Sequence, residues 1–281
     1  TEIVKRQKPK LLVINASAFS QGNWNLTDEV YLRKWIDNMP MSQNKLDTVK
    51  TIPKNINKDD EKVKDNISDT LYFPLEKYHG NWKDPEAVYT SFVTRAYMRL
   101  SGGGYLKGFY SKTGITGGRD NLANIGQPTK EAYMLTDECR AYLKELLSYC
   151  NKLGIEHVLL LQPPHETQAA DKSGLEQIES ITKEYGYDFL DLSTDYESIA
   201  GIDDSHDFAD FEHLNAYGAK KLTAYIGDMA VNQYGIKSDT AKSELSRWKK
   251  SVKRTKKALK MAREYTDRGE AQVVGEYEAA K

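Results

Sequence analysis

Three short apolar runs in the chain are typical of buried β-strands. They lie at residues 10–15 (Lys-Leu-Leu-Val-Ile-Asn), 157–161 (His-Val-Leu-Leu-Leu) and 188–192 (Asp-Phe-Leu-Asp-Leu). The first two place apolar residues at consecutive positions and not at alternate ones, which favours strands covered on both faces, as in a parallel sheet.

Between and after these runs the apolar positions recur with helical spacing. Thr136 is suited to cap a helix that ends near Gly154, a second helix is predicted at about 173–185 and a third at 217–233. Helices that alternate with strands through short connections predict an α/β domain with a parallel sheet covered on both faces.

The remaining segments have different patterns. Residues 23–135 are irregular, with predicted helices at 30–38 and 87–100 and a charged loop at 53–70, and we interpret them as an insertion or cap. The predicted α/β domain therefore comprises residues 1–22 and 136–235, followed by a basic helical tail at 236–281.

The tail is strongly cationic where the rest of the chain is balanced. Residues 242–268 contain eleven Lys and Arg against three acidic residues, with an apolar stripe at helical spacing. The simpler interpretation is a solvated helix that packs by one face. The alternative is a helix that contacts an anionic envelope polymer or lipid surface.

The composition argues against nucleic-acid binding, a membrane span and a disulfide bond. The 281 residues include 40 basic and 41 acidic side chains, so the net charge of -1 gives no general attraction to nucleic acid. No apolar run approaches the ~18 residues of a membrane span. The two cysteines, Cys139 and Cys150, would lie about 16 Å apart on one helix, too far for a disulfide.

One acidic segment has the spacing of a catalytic group. Asp210 and His213 are three residues apart directly before the predicted helix at 217–233. In a turn or a first helical turn the carboxylate can hold the histidine ring in one tautomer, which leaves the other nitrogen to accept a proton from a hydroxyl nucleophile. The position after a parallel strand also suits a site, since α/β folds bind ligands at the carboxyl ends of their strands.

The segment Asp210-Phe-Glu-His213-Leu-Asn-Ala-Tyr-Gly218-Ala-Lys-Lys resembles the C-terminal block of the SGNH (GDSL-like) hydrolases. The chain is similar to the membrane-linked branch of that superfamily, which includes the D-alanyl transfer protein of teichoic acid synthesis and alginate-type O-acetyltransferases. Two further segments add to the likeness: Gln7-Lys-Pro-Lys-Leu-Leu-Val-Ile14 followed by Asp37-Asn-Met-Pro-Met-Ser-Gln-Asn44, and Gly154-Ile-Glu-His-Val-Leu-Leu-Leu-Gln-Pro-Pro164.

The resemblance implies a three-layer, flavodoxin-like parallel sheet and a Ser-His-Asp triad in which His213 is the base and Asp210 orients it. The chain departs from the family because it has no Gly-Asp-Ser block. The strand at 10–15 fits the third family strand, so the first two strands, the serine and a membrane anchor are expected upstream of Thr1.

Two alternatives for the nucleophile remain. Ser17, just past the strand at 10–15, could belong to a degenerate nucleophile block, with Ser20 a weaker choice. The chain could also be a pseudoenzyme that has lost its serine. For the oxyanion hole the sequence offers only Gln162, since the usual Gly-x-Asn block is not recognisable.

No cofactor and no metal site are predicted. His206, His213 and the aspartates at 203, 204 and 207 are metal-ligating residue types, but their spacing resembles no zinc motif. His165 is interpreted as an exposed loop residue at the rim of the sheet.

The resemblance therefore predicts an esterase or O-acyltransferase that acts on a cell-envelope polysaccharide, outside the bacterial cytoplasm. The alternative is a noncatalytic glycan- or polymer-binding protein that kept the fold.

Overall fold

The structure is a computed structural model. It describes residues 8–20, 36–37, 39–55, 71–72, 83–86, 89, 93, 106, 109–126, 130–165, 168–237 and 242–275. Contacts between residues divide the chain into two compact units. The first consists of Thr1–Lys8 with Asn23–Ala96, and the second of Pro9–Gly22 with Tyr97–Lys281.

The elements follow one another in this order: β1 (Leu11–Asn15), α1 (Ser17–Ser20), α2 (Gln43–Asn55), β2 (Ser111–Lys112), α3 (Arg119–Asn124), β3 (Lys130–Ala132), α4 (Asp137–Lys152), β4 (His157–Gln162), β5 (Gln168–Asp171), α5 (Ser173–Glu184), β6 (Asp188–Asp191), α6 (Tyr196–Ala200), β7 (Phe208–Asp210), β8 (His213–Leu214), α7 (Ala216–Asn232), α8 (Lys242–Asp267) and β9 (Val273–Val274).

A parallel three-stranded sheet forms the centre of the second unit. Its order is β1-β4-β6, with Leu12 opposite Val158 and Leu160 opposite Phe189. The sequence predicted a parallel sheet, and the parallel pairing of the strands at 10–15 and 157–161 confirms it. Residues 158–161 of the central strand are at most 7% exposed, as a strand covered on both faces requires.

The helices expected in this α/β half are present with almost the expected bounds. Thr136 caps α4 by accepting a hydrogen bond from the backbone N–H of Cys139. On α4, Leu143 and Leu147 are fully buried, and α5 packs against both β6 and α4. The α/β class is therefore confirmed, with both cysteines buried and free on α4.

The basic C-terminal helix belongs to the second unit and does not form a separate tail. Ala258 and Ala262 of α8 are fully buried in a cluster with Ala216 of α7, since small side chains allow the two helices to approach closely. Beyond α8, β9 pairs antiparallel with β2, so that Ser111 lies opposite Val274.

The contact-based division consequently differs from the boundaries expected from sequence. Residues 97–135 were assigned to the insertion and 236–281 to the tail, yet both segments are grouped with the α/β unit. The pairing of β2 with β9 joins one segment to the other, and the contacts of α8 with α7 join them to the α/β unit.

In the first unit, Ile36, Val49 and Leu71 form a small buried cluster. The helix α2 was not predicted, and it includes residues 53–55 of the expected charged loop. The rest of that loop, and most of the helices expected at 30–38 and 87–100, lie outside the described residues.

Candidate functional site

Asp210 and His213 face each other across a short β-hairpin. The strands β7 and β8 pair antiparallel with these two residues in register, and the turn between them is residues 211–212. Asp210 Oδ1 lies 2.7 Å from His213 Nδ1 and also accepts the Glu212 backbone N–H at 3.0 Å. The contact expected from the sequence spacing is present, although a hairpin and not a helical turn produces it.

Apolar residues on both strands anchor the hairpin in the core. Phe208 of β7 is fully buried in a cluster with Leu161, at the end of the central strand, and with Leu192. Leu214 of β8 packs against the same cluster, together with Leu222 of α7. The hairpin is therefore fixed beyond the carboxyl end of the sheet, where α/β folds place their sites.

Asn215 connects the hairpin to α7. Its side chain caps the helix by accepting the backbone N–H groups of Tyr217 and Gly218, at 2.9 and 3.3 Å. The same amide group donates to the carbonyls of Gly114 and His206, at 3.1 and 2.7 Å. The Asn215 side chain is fully buried and makes four hydrogen bonds. These bonds explain why the Leu-Asn-x-x-Gly segment has an asparagine at this position.

The last residue of that segment, Gly218, is a glycine because there is no room for a side chain. A Cβ atom added there would lie 2.5 Å from the backbone carbonyl oxygen of Asp207 and 2.9 Å from a methyl carbon of Leu214. Only a residue without a side chain lets the first turn of α7 approach the hairpin so closely.

Lys112 is the site residue that sequence reasoning missed. Its ammonium donates to Asp210 Oδ2 at 2.9 Å and lies 3.1 Å from His213 Nδ1. The residue belongs to β2, which β9 holds in place from the far end of the chain. No local pattern links a lysine at 112 with a carboxylate at 210, because the two are 98 positions apart.

The carboxylate is stabilised in its charged form. Burial alone would raise the pKa of Asp210, but hydrogen bonds from Lys112, from His213 and from the Glu212 backbone outweigh it, so that this pKa lies below its ordinary value. With Nδ1–H donated to Asp210, the neutral imidazole of His213 has Nε2 available as a proton acceptor. Lys112 donates to the other carboxylate oxygen, and its ammonium would donate to His213 Nδ1 in the tautomer that carries the ring proton on Nε2.

An open cavity of about 610 Å³ borders Asp210, and His213 is not among the residues that line it. Its walls are formed by Lys112 and Asp210, with residues of both neighbouring strands. A substrate can therefore reach the carboxylate from solvent. Asp210 and His213 are themselves partly exposed, with 35% and 40% of their side-chain surface accessible.

Ser17 lies in a different hydrogen-bonded group. Its hydroxyl accepts a bond from Gln162 Nε2 at 3.3 Å, and Ser20 Oγ donates to Gln162 Oε1 at 3.1 Å. The three side chains are buried beyond the ends of β1 and β4. Within the described part of the chain, the hydrogen bonds of His213 are to Asp210 and Lys112 and not to Ser17. The structure thus brings Asp210 and His213 together but not Ser17.

A second histidine–carboxylate pair lies directly before the hairpin. His206 Nδ1 is 3.0 Å from Asp207 Oδ1, and Asp207 Oδ2 accepts Lys221 Nζ at 2.6 Å and the Asp203 backbone N–H at 2.8 Å. Asp207 is fully buried, and its contacts join the acidic loop to α7. This pair has the bonding of a structural anchor.

Among the described residues, no group of three or more His, Cys, Asp or Glu side chains is arranged to hold a metal ion. His165 was expected to be exposed, and that prediction is wrong: the residue is 3% exposed, with its ring edge-on to Tyr133 at 6.4 Å. In the described ranges no helix is both long and apolar enough to cross a membrane.

Comparisons of the chain with protein-family models, with curated proteins and with solved structures found no match. The likeness to SGNH hydrolases and the catalytic roles of Asp210 and His213 therefore remain predictions.

Proposed function

We propose that this chain supplies the Asp-His pair of an SGNH-like esterase or O-acyltransferase. The observation that supports the proposal most is the 2.7 Å contact between Asp210 Oδ1 and His213 Nδ1, in a hairpin anchored beyond the end of a parallel strand. The proposed substrate is an ester of a cell-envelope polysaccharide or related polymer, and the proposed location is outside the bacterial cytoplasm. The family resemblance is the basis for the substrate and for the location.

In the proposed reaction His213 Nε2 removes the proton of a serine hydroxyl while the serine oxygen attacks the acyl carbonyl. Asp210 stabilises the imidazolium that forms. The proton then passes to the departing alcohol oxygen as its bond to the acyl carbon breaks, which leaves an acyl-serine. Water completes hydrolysis by attacking this ester, and an acceptor hydroxyl completes transfer.

The serine in this proposal is not Ser17. The Ser17 hydroxyl is buried and accepts a bond from Gln162, and its backbone N–H is held by Asn15 at 2.8 Å. These contacts suit a structural turn at the end of β1. The nucleophile would come from a segment outside the described residues.

The sheet agrees with such a segment lying beside β1. In the flavodoxin-like order 2-1-3-4-5, the last three strands are neighbours in chain order, as β1, β4 and β6 are. Among the described residues β1 pairs with β4 alone, so its other edge can pair with a further strand. A parallel strand there would have its carboxyl end at the same end of the sheet as the candidate site.

A noncatalytic glycan- or polymer-binding protein is the second candidate. The observation that favours it is that no hydroxyl in the described part of the chain bonds to His213, whose Nδ1 lies between Asp210 and Lys112. In that case the same cavity would bind a ligand without turning it over.

Turnover of an aryl acetate by the complete natural polypeptide separates the two functions. His213→Ala should lower kcat/KM by about 10³-fold or more, since the remaining groups of a triad cannot replace the base. His206→Ala is the matched control, because this histidine also has an aspartate on Nδ1 but lies outside the proposed machinery. Its kcat/KM should stay within about threefold of the wild type.

Ser17→Ala should likewise retain turnover. Loss of activity in this variant would show that the serine is misassigned, and equal losses in the two histidine variants would remove His213 from the mechanism. A polypeptide with no turnover at all would reject the enzyme and favour the binding protein.

A further inference from the structure

A groove between α7 and α8 lies entirely within the second unit, and it shares no lining residue with the cavity at the candidate site. Its volume is about 420 Å³, in the range of small-molecule pockets. Leu106 and Phe109 form one wall, and Val252 and Leu259 of α8 are on another. The floor continues into the buried alanine cluster that joins the two helices. The groove is therefore an apolar cleft on a rigid base.

Lysines line the mouth of this groove. Lys220 of α7 and Lys256 of α8 both belong to its lining and are both exposed. They lie within a wider cationic surface, because residues 242–268 contain eleven basic side chains against three acidic ones. The mouth therefore attracts anions, and this attraction weakens with salt.

The apolar stripe of α8 leads into the groove from its N-terminal side. Leu245, Trp248 and Val252 are 39%, 49% and 48% exposed. Their spacing places them on one face of the helix. An elongated apolar ligand in the groove would cover this stripe, and a short anion would leave it in water.

We propose that this groove binds the acyl chain of an anionic amphiphile. The chain lies along Phe109, Trp248 and Leu259, and the head group meets the ammonium groups of Lys220 and Lys256. Apolar burial supplies the affinity, while the lysines select against cationic and neutral head groups. The inference does not depend on ester chemistry at Asp210 and His213.

Dodecanoate and dodecyltrimethylammonium test the proposal, because they present one chain length with opposite charges. Calorimetric titration of the full chain below the micelle concentration should give one dodecanoate per protein and a negative heat-capacity change. The cationic surfactant should bind at least ~10-fold more weakly. Equal affinities, or many dodecanoates per protein, would mean nonspecific adsorption and would overturn the proposal.

Matched variants test the position of the site. Thr223→Trp places a large side chain at the groove wall and should weaken dodecanoate binding by at least ~10-fold, whereas Ala224→Trp, one residue along the exposed surface, should not. Lys256→Gln should weaken binding about two- to fivefold, and Lys257→Gln, outside the lining, should leave it unchanged. Identical behaviour within either pair would reject the groove as the site.

A membrane surface and a second copy of the chain are the alternative occupants of the groove, and each would give a different experimental result. Binding to vesicles of anionic phosphatidylglycerol without binding of free dodecanoate would replace the single-chain site by a membrane surface. Alternatively, the protein could sediment as a dimer and bind no dodecanoate. If the Thr223→Trp variant then sedimented as a monomer, a second copy of the chain would be shown to cover the groove. Either result would overturn the proposal.

Discussion

Each carboxylate oxygen of Asp210 contacts a different side chain. Oδ1 contacts His213 and Oδ2 contacts Lys112, so the side chain is both the orienting group of the histidine and half of an ion pair with β2. Since these hydrogen bonds exist only in the folded protein, they link the geometry of the candidate site to stability.

The pKa of Asp210 predicts how that link depends on pH. Its pKa is lower in the folded chain than in the unfolded one, so the unfolded state binds more protons as the solution is acidified. The stabilisation is present above the ordinary carboxyl pKa of ~3.9 and is lost as pH falls through the folded value. Urea unfolding of wild type and Asp210→Asn from pH 5 to pH 3 should show that the difference between their unfolding free energies decreases.

The exposed Asp228→Asn on α7 controls for the loss of one charge and should show a smaller pH-dependent difference. A difference between wild type and Asp210→Asn that stays constant, or grows, on acidification would contradict the assigned hydrogen bonds.

At the scale of elements, the close approach of α7 to the hairpin determines where His213 lies. Gly218→Ala should destabilise the fold by about 1–3 kcal/mol, because the new methyl group would collide with the Asp207 carbonyl. Gly227 of the same helix is the matched control, since a Cβ there meets nothing within 4 Å. Gly227→Ala should stabilise by about 0.5–1 kcal/mol through helix propensity.

Chemical denaturation of both variants measures these opposite signs. A Gly218→Ala protein as stable as the wild type would show that the contact between α7 and the hairpin is looser than described.

The elements that were predicted correctly are those whose sequence signal lies within a short segment and does not depend on contacts with distant parts of the chain. Apolar runs predicted β1, β4 and β6, and Thr136 predicted the start of α4, because an apolar run and a capping side chain are properties of short segments. The contact of Asp210 with His213 was predictable for the same reason. The strand β2 is only two residues long and depends on β9, so its own sequence had little to indicate it.

In the candidate site too, the contact between residues close in sequence was predicted, and the contacts between distant residues were missed. Lys112 meets Asp210 only after β2 and β9 pair, and no spacing rule describes a contact between residues so far apart. Ser17 was a candidate because it follows a strand, but sequence could not show that Gln162, from the neighbouring strand, occupies its hydroxyl.

At the scale of the whole molecule, the C-terminal helix is part of the unit that contains the candidate site. The contacts of α8 with α7 and the strand β9 tie residues 242–274 to the α/β core. In native-state hydrogen exchange, the amides of residues 258–262 should therefore be protected to about the same degree as those in the middle of α7.

Exposed Lys249, in the half of α8 before the buried alanines, supplies an internal comparison and should exchange faster. Uniformly fast exchange along α8 would contradict the packing of this helix against α7.

The central claim is that His213, oriented by Asp210, activates a serine other than Ser17. The most direct measurement is mass-spectrometric mapping of the fluorophosphonate adduct on the complete natural polypeptide, in wild type, His213→Ala and His206→Ala. The account predicts an adduct on one serine that is not Ser17, lost in His213→Ala and kept in His206→Ala. An adduct on Ser17, or one that forms equally well without His213, would contradict it.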